Sequence, residues 1–585
     1  MKKIMNQPEI LVLEMCQGIV AANPKLELMT KYKVIKKRHI DRNKVTLISG
    51  GGSGHEPAHA GFIGQGMLDA AVCGDIFASP SQIQIYQAIK ATKSDKGTLL
   101  IIKNYSGDMM NFQNAAFLAS MDGVSVDYVK VDDDIAVQDS LYTVGRRGVA
   151  GTVLVHKITG AAAEKGLPLA EVKTIATKAA NNVRSLGFAF NSCTVPAKGT
   201  PTFTLADDEI EYGVGIHGEP GIKREKIISA QALAKRMVSA LAADLKLNKH
   251  DQIALLINGF GATPLLELYV LNYYVVQELA AMAITIDKIL VGNYMTSIDM
   301  AGASISILKL DEELKHYLHT PCHTSALHIE QSDSEYQFDP TTLPALTVAD
   351  NHAKALIDIG NNHIVNNVIS FANLKYLIHQ MGEIIIANEQ PFCDLDSHAG
   401  DGDFGMSVAK GFKQLKHDWN DIIAQSNDIG SFLDHCSMTI MEHCGGASGP
   451  IWGFAFKSAG KSCHNKQSLT VHDFANLLQA AVNGIQTVGE RSFGRGAVVG
   501  DKTLIDALVP CADSWSECAK SSNNMQQAFE QGAQAAVDGA EKTKLIAARM
   551  GRAGTVGDRS IGYPDAGAHA LGIIFTELTA KMSFS

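Results

Sequence analysis

From residue 1 to about 330, short apolar runs recur and each gives way to a glycine-rich or polar stretch. Lys44-Val45-Thr46-Leu47-Ile48-Ser49 runs into Gly50, and Gly97-Thr98-Leu99-Leu100-Ile101-Ile102 runs into Lys103-Asn104. Val124-Ser125-Val126-Asp127-Tyr128-Val129 stops before Asp132-Asp133-Asp134, and Gln252-Ile253-Ala254-Leu255-Leu256-Ile257 reaches Asn258-Gly259. Apolar runs this short, bounded by glycine and polar residues, read as buried strands. Helical segments lie between them, such as Pro80 to Thr92 and Gly148 to Lys165. Lys223 to Leu245 reads as an amphipathic packing helix with Met237 in a core or interface. Strands alternating with helices predict an α/β half, built as two α/β subdomains with largely parallel sheet. Ligands of such sheets gather beyond the carboxyl ends of the strands. The loops beginning at Gly50 and Lys103 are therefore expected to share one pocket.

The texture changes after residue 330. From Gln331 to Asn351 the chain is polar and turn-rich, with Ser332, Asp333, Ser334, Asp339-Pro340 and Pro344, which reads as a linker between residues 1–330 and 352–585. Beyond it strand-like runs nearly vanish. Alanine-rich helical stretches take over at Val471 to Val488, Asn524 to Met550 and Ala566 to Met582, and predict an all-α unit.

Composition narrows the classes. A chain of 585 residues is too long for one core. Hydrophobic content of 46% with 19% charged residues reads as soluble and globular. A net charge of −10 with no basic run argues against a nucleic-acid partner. Ten cysteines without a CxxC pair fit reduced thiols in the cytoplasm. The opening Met1-Lys2-Lys3-Ile4-Met5-Asn6-Gln7-Pro8 lacks the apolar core of a signal peptide, and no apolar run reaches membrane-spanning length.

Four stretches carry candidate chemistry. Gly50-Gly51-Gly52-Ser53-Gly54-His55-Glu56-Pro57 places a histidine in a glycine loop. It lacks the Gly-Lys-Ser/Thr ending of a phosphate loop, and a plain strand-to-helix turn fits it equally. Lys103-Asn104-Tyr105-Ser106-Gly107-Asp108 supplies a lysine and a carboxylate, although Asp108 alone would read as a turn aspartate. Glu211 to Gly221 frames His217 between Gly215 and Gly218 and closes with Pro220-Gly221. Such an imidazole is a usable nucleophile toward a carbonyl, and a Gly-Pro turn that carries a histidine is the plainer reading. Cys393 to Ser407 sets four aspartates within ten residues, with glycines between. Oxygen ligands on a turning backbone suit Mg²⁺ or Ca²⁺, with a solvated acidic turn as the alternative. No glutamate stands where an EF-hand needs one, and His398 reads as exposed rather than as a ligand.

Taken together these stretches resemble the dihydroxyacetone kinase family over the whole chain, a ketone-binding K domain followed by a nucleotide-binding L domain. Gly145 to Val153 and Asn293 to Ser304 also match the family. The resemblance implies that the L domain is an all-α helical barrel. It implies that His217 forms a hemiaminal with the ketone carbon, and that Gly52, Ser53, Gly54, His55, Lys103 and Asp108 contact the substrate hydroxyls. Asp108 would accept the proton of the attacking hydroxyl, and His55 would assist proton transfer. Asp396, Asp401 and Asp403 become the Mg²⁺ ligands, and Phe404, Gly405, Met406 and Ser407 part of the ATP site. Ala447 and Ser448 in the Gly445 to Pro450 turn, Gly496, Leu504 in the Gly500 to Leu504 loop, and Arg552 in Gly551-Arg552-Ala553 are further nucleotide contacts. Asp565, Ala566 and Gly567 complete them. Ala566 stands where the family pattern usually has proline, which loosens that loop but leaves its backbone donors in place.

The implied activity is ATP-dependent phosphorylation of dihydroxyacetone by a cytoplasmic homodimer. Three other readings stay open. The acceptor is a four-carbon ketose such as erythrulose; or the chain is a phosphoenolpyruvate-dependent phosphotransferase; or it is a ketone sensor without turnover. Intact Asp396, Asp401 and Asp403 argue against the sensor, which has no need of magnesium.

Overall fold

The computed structural model describes residues 2–137, 145–219, 221–330, 359–398, 400–550, 554 and 557–585. The chain divides into two compact units, Met1–Ala345 and Leu346–Ser585. The expected linker at 331–351 lies outside the described residues, as do Pro220, Ala399 and Arg552 with its neighbours Gly551 and Ala553.

The first unit holds two six-stranded sheets. One runs in the order Leu26–Met29, Val34–Lys37, Ala70–Ile76, Thr46–Ser53, Thr98–Lys103, Val126–Val131. Its four last-named strands pair in parallel. Alternate residues of these strands face opposite ways. Leu47, Leu99 and Ile101 pack against the helices Thr152–Glu164 and Leu169–Asn181. Ile48, Leu100 and Ile102 pack against Gln82–Ala91 and Ser106–Met121. Burial on both faces is why the runs are continuously apolar. The helix expected from Pro80 starts at Gln82, because Ser81 caps it in a capping box with Gln84.

The second sheet departs from the parallel expectation. Its order is Lys223–Lys226, Glu209–Tyr212, Val183–Ala189, Gly302–Leu310, Gln252–Gly259, Thr285–Gly292, and only the last pair is parallel. A parallel return needs a crossover helix. Helix Leu265–Ala281 supplies one between Gln252–Gly259 and Thr285–Gly292, whereas the connection from Gly292 to Gly302 is too short. The stretch from Lys223 to Leu245 also divides. Lys223–Lys226 is an edge strand, and helix Ala230–Leu245 begins only after the Ser229 cap, with Met237 buried in the core.

The second unit is helical. Neighbour packs on neighbour in an unbroken circuit: Phe371–Ala387, Phe404–His417, Ile429–His443, Ser448–Ser462, Val471–Phe493, Ile505–Ser521, Met525–Lys542, Ala566–Lys581, and back to the first. Their apolar faces surround a cavity of about 120 Å³, lined by side chains such as Leu377, Trp452, Leu478 and Trp515. The helix expected to reach Met550 ends at Lys542 and passes into the single turn Thr543–Leu545. No helix among the described residues is long and apolar enough to cross a membrane.

Candidate active site

The loop from Gly213 to Ile222 joins the antiparallel strands Glu209–Tyr212 and Lys223–Lys226. A Cβ on Gly215 would lie 2.0 Å from Glu219 Oε2, so only glycine lets this carboxylate fold back under the loop. Glu219 Oε2 accepts the backbone N–H of His217 at 2.9 Å, and Oε1 lies 2.9 Å from His217 Nδ1. An ionised carboxylate only accepts, so Nδ1 carries a hydrogen. The same logic holds for His55, whose Nδ1 lies 2.8 Å from the carbonyl oxygen of Thr296. The two Nε2 atoms are 3.1 Å apart. A hydrogen bond between them requires one proton on one ring. Tyr105 and Phe77 hold the His217 ring edge-on, at centroid distances of 4.6 and 5.0 Å.

Burial opposes the ionisation of Glu219, yet the His217 ring, its hydrogen bond and Arg147 outweigh it and hold the carboxyl at about 2. His55 is pushed well below its ordinary value, by burial first and then by the positive fields of Lys103 and His217.

His217, Asp108 and Gly52 line a cavity of about 610 Å³ together with Phe77, Tyr105 and Glu219. Asp108 sits in the first turn of helix Ser106–Met121, and Lys103 ends the strand before it. A Cβ on Gly51 would come within 3.4 Å of Asp108 Oδ2 and 3.5 Å of Lys103 Nζ, so the glycine loop, lysine and carboxylate do meet. Lys103 Nζ, Tyr105 Oη and Asp108 Oδ1 are buried without a hydrogen-bond partner among the described residues. Burying such groups unpaired is costly, and a polyhydroxylated guest would satisfy them. Burial raises the Asp108 carboxyl against the pull of Lys103, and lowers Lys103 against the pull of Asp108 and Glu219.

Ser53 and Gly54 stand apart from this wall. The Ser53 hydroxyl donates to the carbonyl of Gly74 at 2.7 Å. Gly54 packs under Phe77 and lines a separate cavity with Lys3 and Asn293.

Sequence pattern by itself assigns Glu219 no role. Its one signal there is its place two residues past His217 in a glycine loop. Glu219→Gln is expected to weaken covalent capture of a ketose on the order of 10²-fold, because a neutral amide no longer balances a cationic ring. Intact-mass titration with the ketose measures this. The acid limb of stability should change as well. A carboxyl depressed to about 2 from 4.5 adds stability above pH 4.5 that is lost as pH falls toward 2, and this loss should shrink in Glu219→Gln.

The second unit has its own site. Asp396, Asp401 and Asp403 each place an oxygen within 4.8 Å of the others. Gly402 takes a φ of 76°, and its N–H donates to Asp396 Oδ2 at 2.9 Å. Three carboxylates on a tight turn fit a hard divalent cation. They line a cavity of about 200 Å³ with Phe404, Ser407, Ala447 and Ser448. Leu504, Asp565, Ala566 and Gly567 form another part of its wall. Gly405, Met406 and Gly496 do not line it. Gly405 packs on the Glu389 carbonyl, Met406 is largely exposed, and Gly496 lies against Gln486.

Helices Phe404–His417, Ser448–Ser462, Ile505–Ser521 and Ala566–Lys581 all begin at this cavity. No side chain caps helix Ser448–Ser462, whereas the first N–H of Ile505–Ser521 donates to the Thr503 hydroxyl at 3.3 Å. Free N–H groups and helix dipoles attract anions, while the aspartates attract a cation. The Asp565 carboxyl is pushed up to about 7 by burial and by nearby Asp506 and Asp396.

One unit sets an imidazole beside a polar cavity, and the other sets an oxygen-donor cluster among helix N-termini, an arrangement that fits a small-molecule phosphotransferase. Residues 17–326 match the Dak1 domain model and residues 398–580 the DAK2 domain model. The chain belongs to the dihydroxyacetone kinase family. It is 52% identical, over 54% of its length and 95% of the relative, to the dihydroxyacetone-binding subunit of the PTS-dependent dihydroxyacetone kinase 1 of Listeria innocua serovar 6a. It is 32% identical to the L-erythrulose kinase of Pectobacterium atrosepticum, covering 100% of this chain and 97% of that one. Among solved structures, the dihydroxyacetone kinase from C. freundii in complex with AMP-PNP and Mg²⁺ matches with a TM-score of 0.60 and 30% identity, over 99% of both chains.

Proposed function

We propose that this chain transfers the terminal phosphate of ATP to a hydroxyl of dihydroxyacetone, held on His217. The observation that carries the reading is the Glu219–His217 pair at a cavity whose wall includes Tyr105 and Asp108, each with a buried polar atom unpartnered among the described residues.

With both rings neutral, His217 Nε2 has a free lone pair. It adds to the ketone carbon while the carbonyl π pair moves to oxygen. A proton from solvent, passed along by the neutral His55 ring at Nε2, reaches that oxygen and completes a neutral carbinol. The ring, now bonded at Nε2 and still protonated at Nδ1, is cationic, and Glu219 balances it. This fixes the ketose, and rejects a polyol that has no carbonyl to attack. Asp108 takes the proton of the terminal hydroxyl as its oxygen turns toward phosphorus, a role its raised pKa favours.

Asp396, Asp401 and Asp403 are the residues that would hold Mg²⁺, which when bound neutralises phosphate charge. The uncapped N–H groups that open helix Ser448–Ser462 would orient the phosphates. We read the helical circuit as a closed barrel, supported by its unbroken order of neighbours. The two sites lie on separate units, so transfer requires them to be brought together, within one chain or between the chains of a homodimer.

A four-carbon ketose such as erythrulose is a second reading. A cavity of about 610 Å³ does not restrict the guest to three carbons.

The test is ADP release by the purified chain with ATP, Mg²⁺ and each of dihydroxyacetone, glyceraldehyde, erythrulose and glycerol. Turnover of a ketose without any phosphocarrier protein is expected, with glycerol at background. A requirement for phosphoenolpyruvate and its carrier would replace the kinase with a phosphotransferase. Adduct formation without turnover would leave a sensor.

A further inference from the structure

Lys502 is one of the largest fully buried side chains of the chain, 1% exposed, and its backbone sits in the left-handed region at φ 63°. A residue with a Cβ adopts that conformation only where its surroundings hold it there. Its ammonium meets four main-chain carbonyl oxygens: Thr543 at 2.8 Å, Ile546 at 3.1 Å, Ser560 at 2.5 Å and Tyr563 at 2.8 Å. An ammonium has three N–H donors, so four acceptors exceed its hydrogen-bonding capacity. The arrangement is a coordination shell rather than a set of hydrogen bonds. Carbonyl cages of these dimensions are what potassium takes in protein.

The cage lies under the nucleotide cavity. Lys502 itself touches the cavity, and so do Thr503 and Leu504 after it. Asp565, two residues beyond the Tyr563 carbonyl, lines the cavity and caps helix Ala566–Lys581 through Ala568 N–H at 2.7 Å. The backbone N–H of Asp565 donates to the Thr543 hydroxyl at 2.8 Å, so two cage segments are tied to each other as well as to the lysine. The Tyr563 ring stacks on His398 at 4.0 Å, within the loop that carries Asp396 and Asp401.

We propose that the Lys502 ammonium is a tethered monovalent cation in a carbonyl cage, and that filling this cage holds the Thr543–Ile546 and Ser560–Gly567 segments in the form that binds nucleotide. Lys502 is then a positioning residue. The inference rests on the nucleotide reading of the cavity and adds to it a cation-dependent wall.

Lys502→Gly removes the ammonium and keeps the left-handed backbone without strain. Binding of AMP-PNP with Mg²⁺ to the full chain is measured by calorimetry in choline, sodium, potassium and ammonium chloride at equal ionic strength. In choline the variant should bind on the order of 10- to 100-fold more weakly than the unmutated chain. Potassium or ammonium should restore most of the loss, and the unmutated chain should be indifferent to the salt. Lys502→Met, whose apolar stem fills the cage, should lose affinity and not be rescued.

Affinity unchanged in Lys502→Gly, or a loss of equal size in every salt, would overturn the cage. Should Lys502→Gly fail to fold, Lys502→Gln, with two amide donors for four carbonyls, should bind more weakly than the unmutated chain; unchanged binding would again overturn it. Failure of the unmutated chain to bind AMP-PNP would remove the nucleotide site itself, and the cage's role with it, which is a different result from a salt-insensitive variant.

Discussion

His217→Ala is expected to abolish the mass increment left by a bound ketose and to collapse the preference for ketose over glycerol. The reason is geometric. On the proposed reading, what separates the two is a carbon that Nε2 can attack, whereas hydroxyl contacts from Lys103 and Asp108 would serve both. Losing a covalent anchor also loosens the hydroxyl presented to Asp108, and misplacement of a reacting atom by about 1 Å costs on the order of 10²-fold. We therefore expect ketose kcat/KM to fall by about 10²-fold or more, while the glycerol rate stays at background. His217→Asn, which keeps the bulk but offers no nucleophile, should behave the same way. A ketose–protein adduct that survives in either variant would place the attack elsewhere.

Asp403→Asn should give the complementary loss. ADP release should drop below detection or by more than the roughly 10- to 100-fold typical of an outer-shell partner, because the substitution removes a charge from the cluster itself. The ketose adduct on His217 should form as before, since it belongs to the other unit. Asn preserves the residue's size and its ability to sit before helix Phe404–His417, so a thermal transition close to that of the unmutated chain should accompany the lost turnover. Adding a chelator to the unmutated chain should reproduce the kinetic result. Turnover that persists in both experiments would separate the acidic cluster from the chemistry.

Part of this was readable before any coordinates. The continuous apolar runs at Leu47-Ile48 and Leu99 to Ile102 are what burial on two faces requires, and they are central strands. The Asp-Gly alternation from Asp396 to Asp403 announced an oxygen-donor turn, because glycine is needed where the backbone reverses and Gly402 does take a positive φ. Other features were not readable. The second sheet is mostly antiparallel because one connection is too short for a crossover, and periodicity alone carries no pairing direction. Lys223 to Lys226 has too few residues to declare itself a strand until it pairs with Glu209–Tyr212.

The chain order of residues determined the α/β and mainly helical halves, the glycine positions that permit sharp turns, and the residue types able to attack a carbonyl or ligate a cation. These are local properties, set by side-chain periodicity and backbone freedom. The folded structure decided which of them act together. It set His55 against His217 across 162 positions of sequence. It turned Glu219 beneath that ring and left Lys103 Nζ and Asp108 Oδ1 unpartnered among the described residues. It also closed four carbonyls around Lys502. Orientation, desolvation and unmet hydrogen bonds arise only when distant segments exclude water from a common space, so no stretch of sequence contains them.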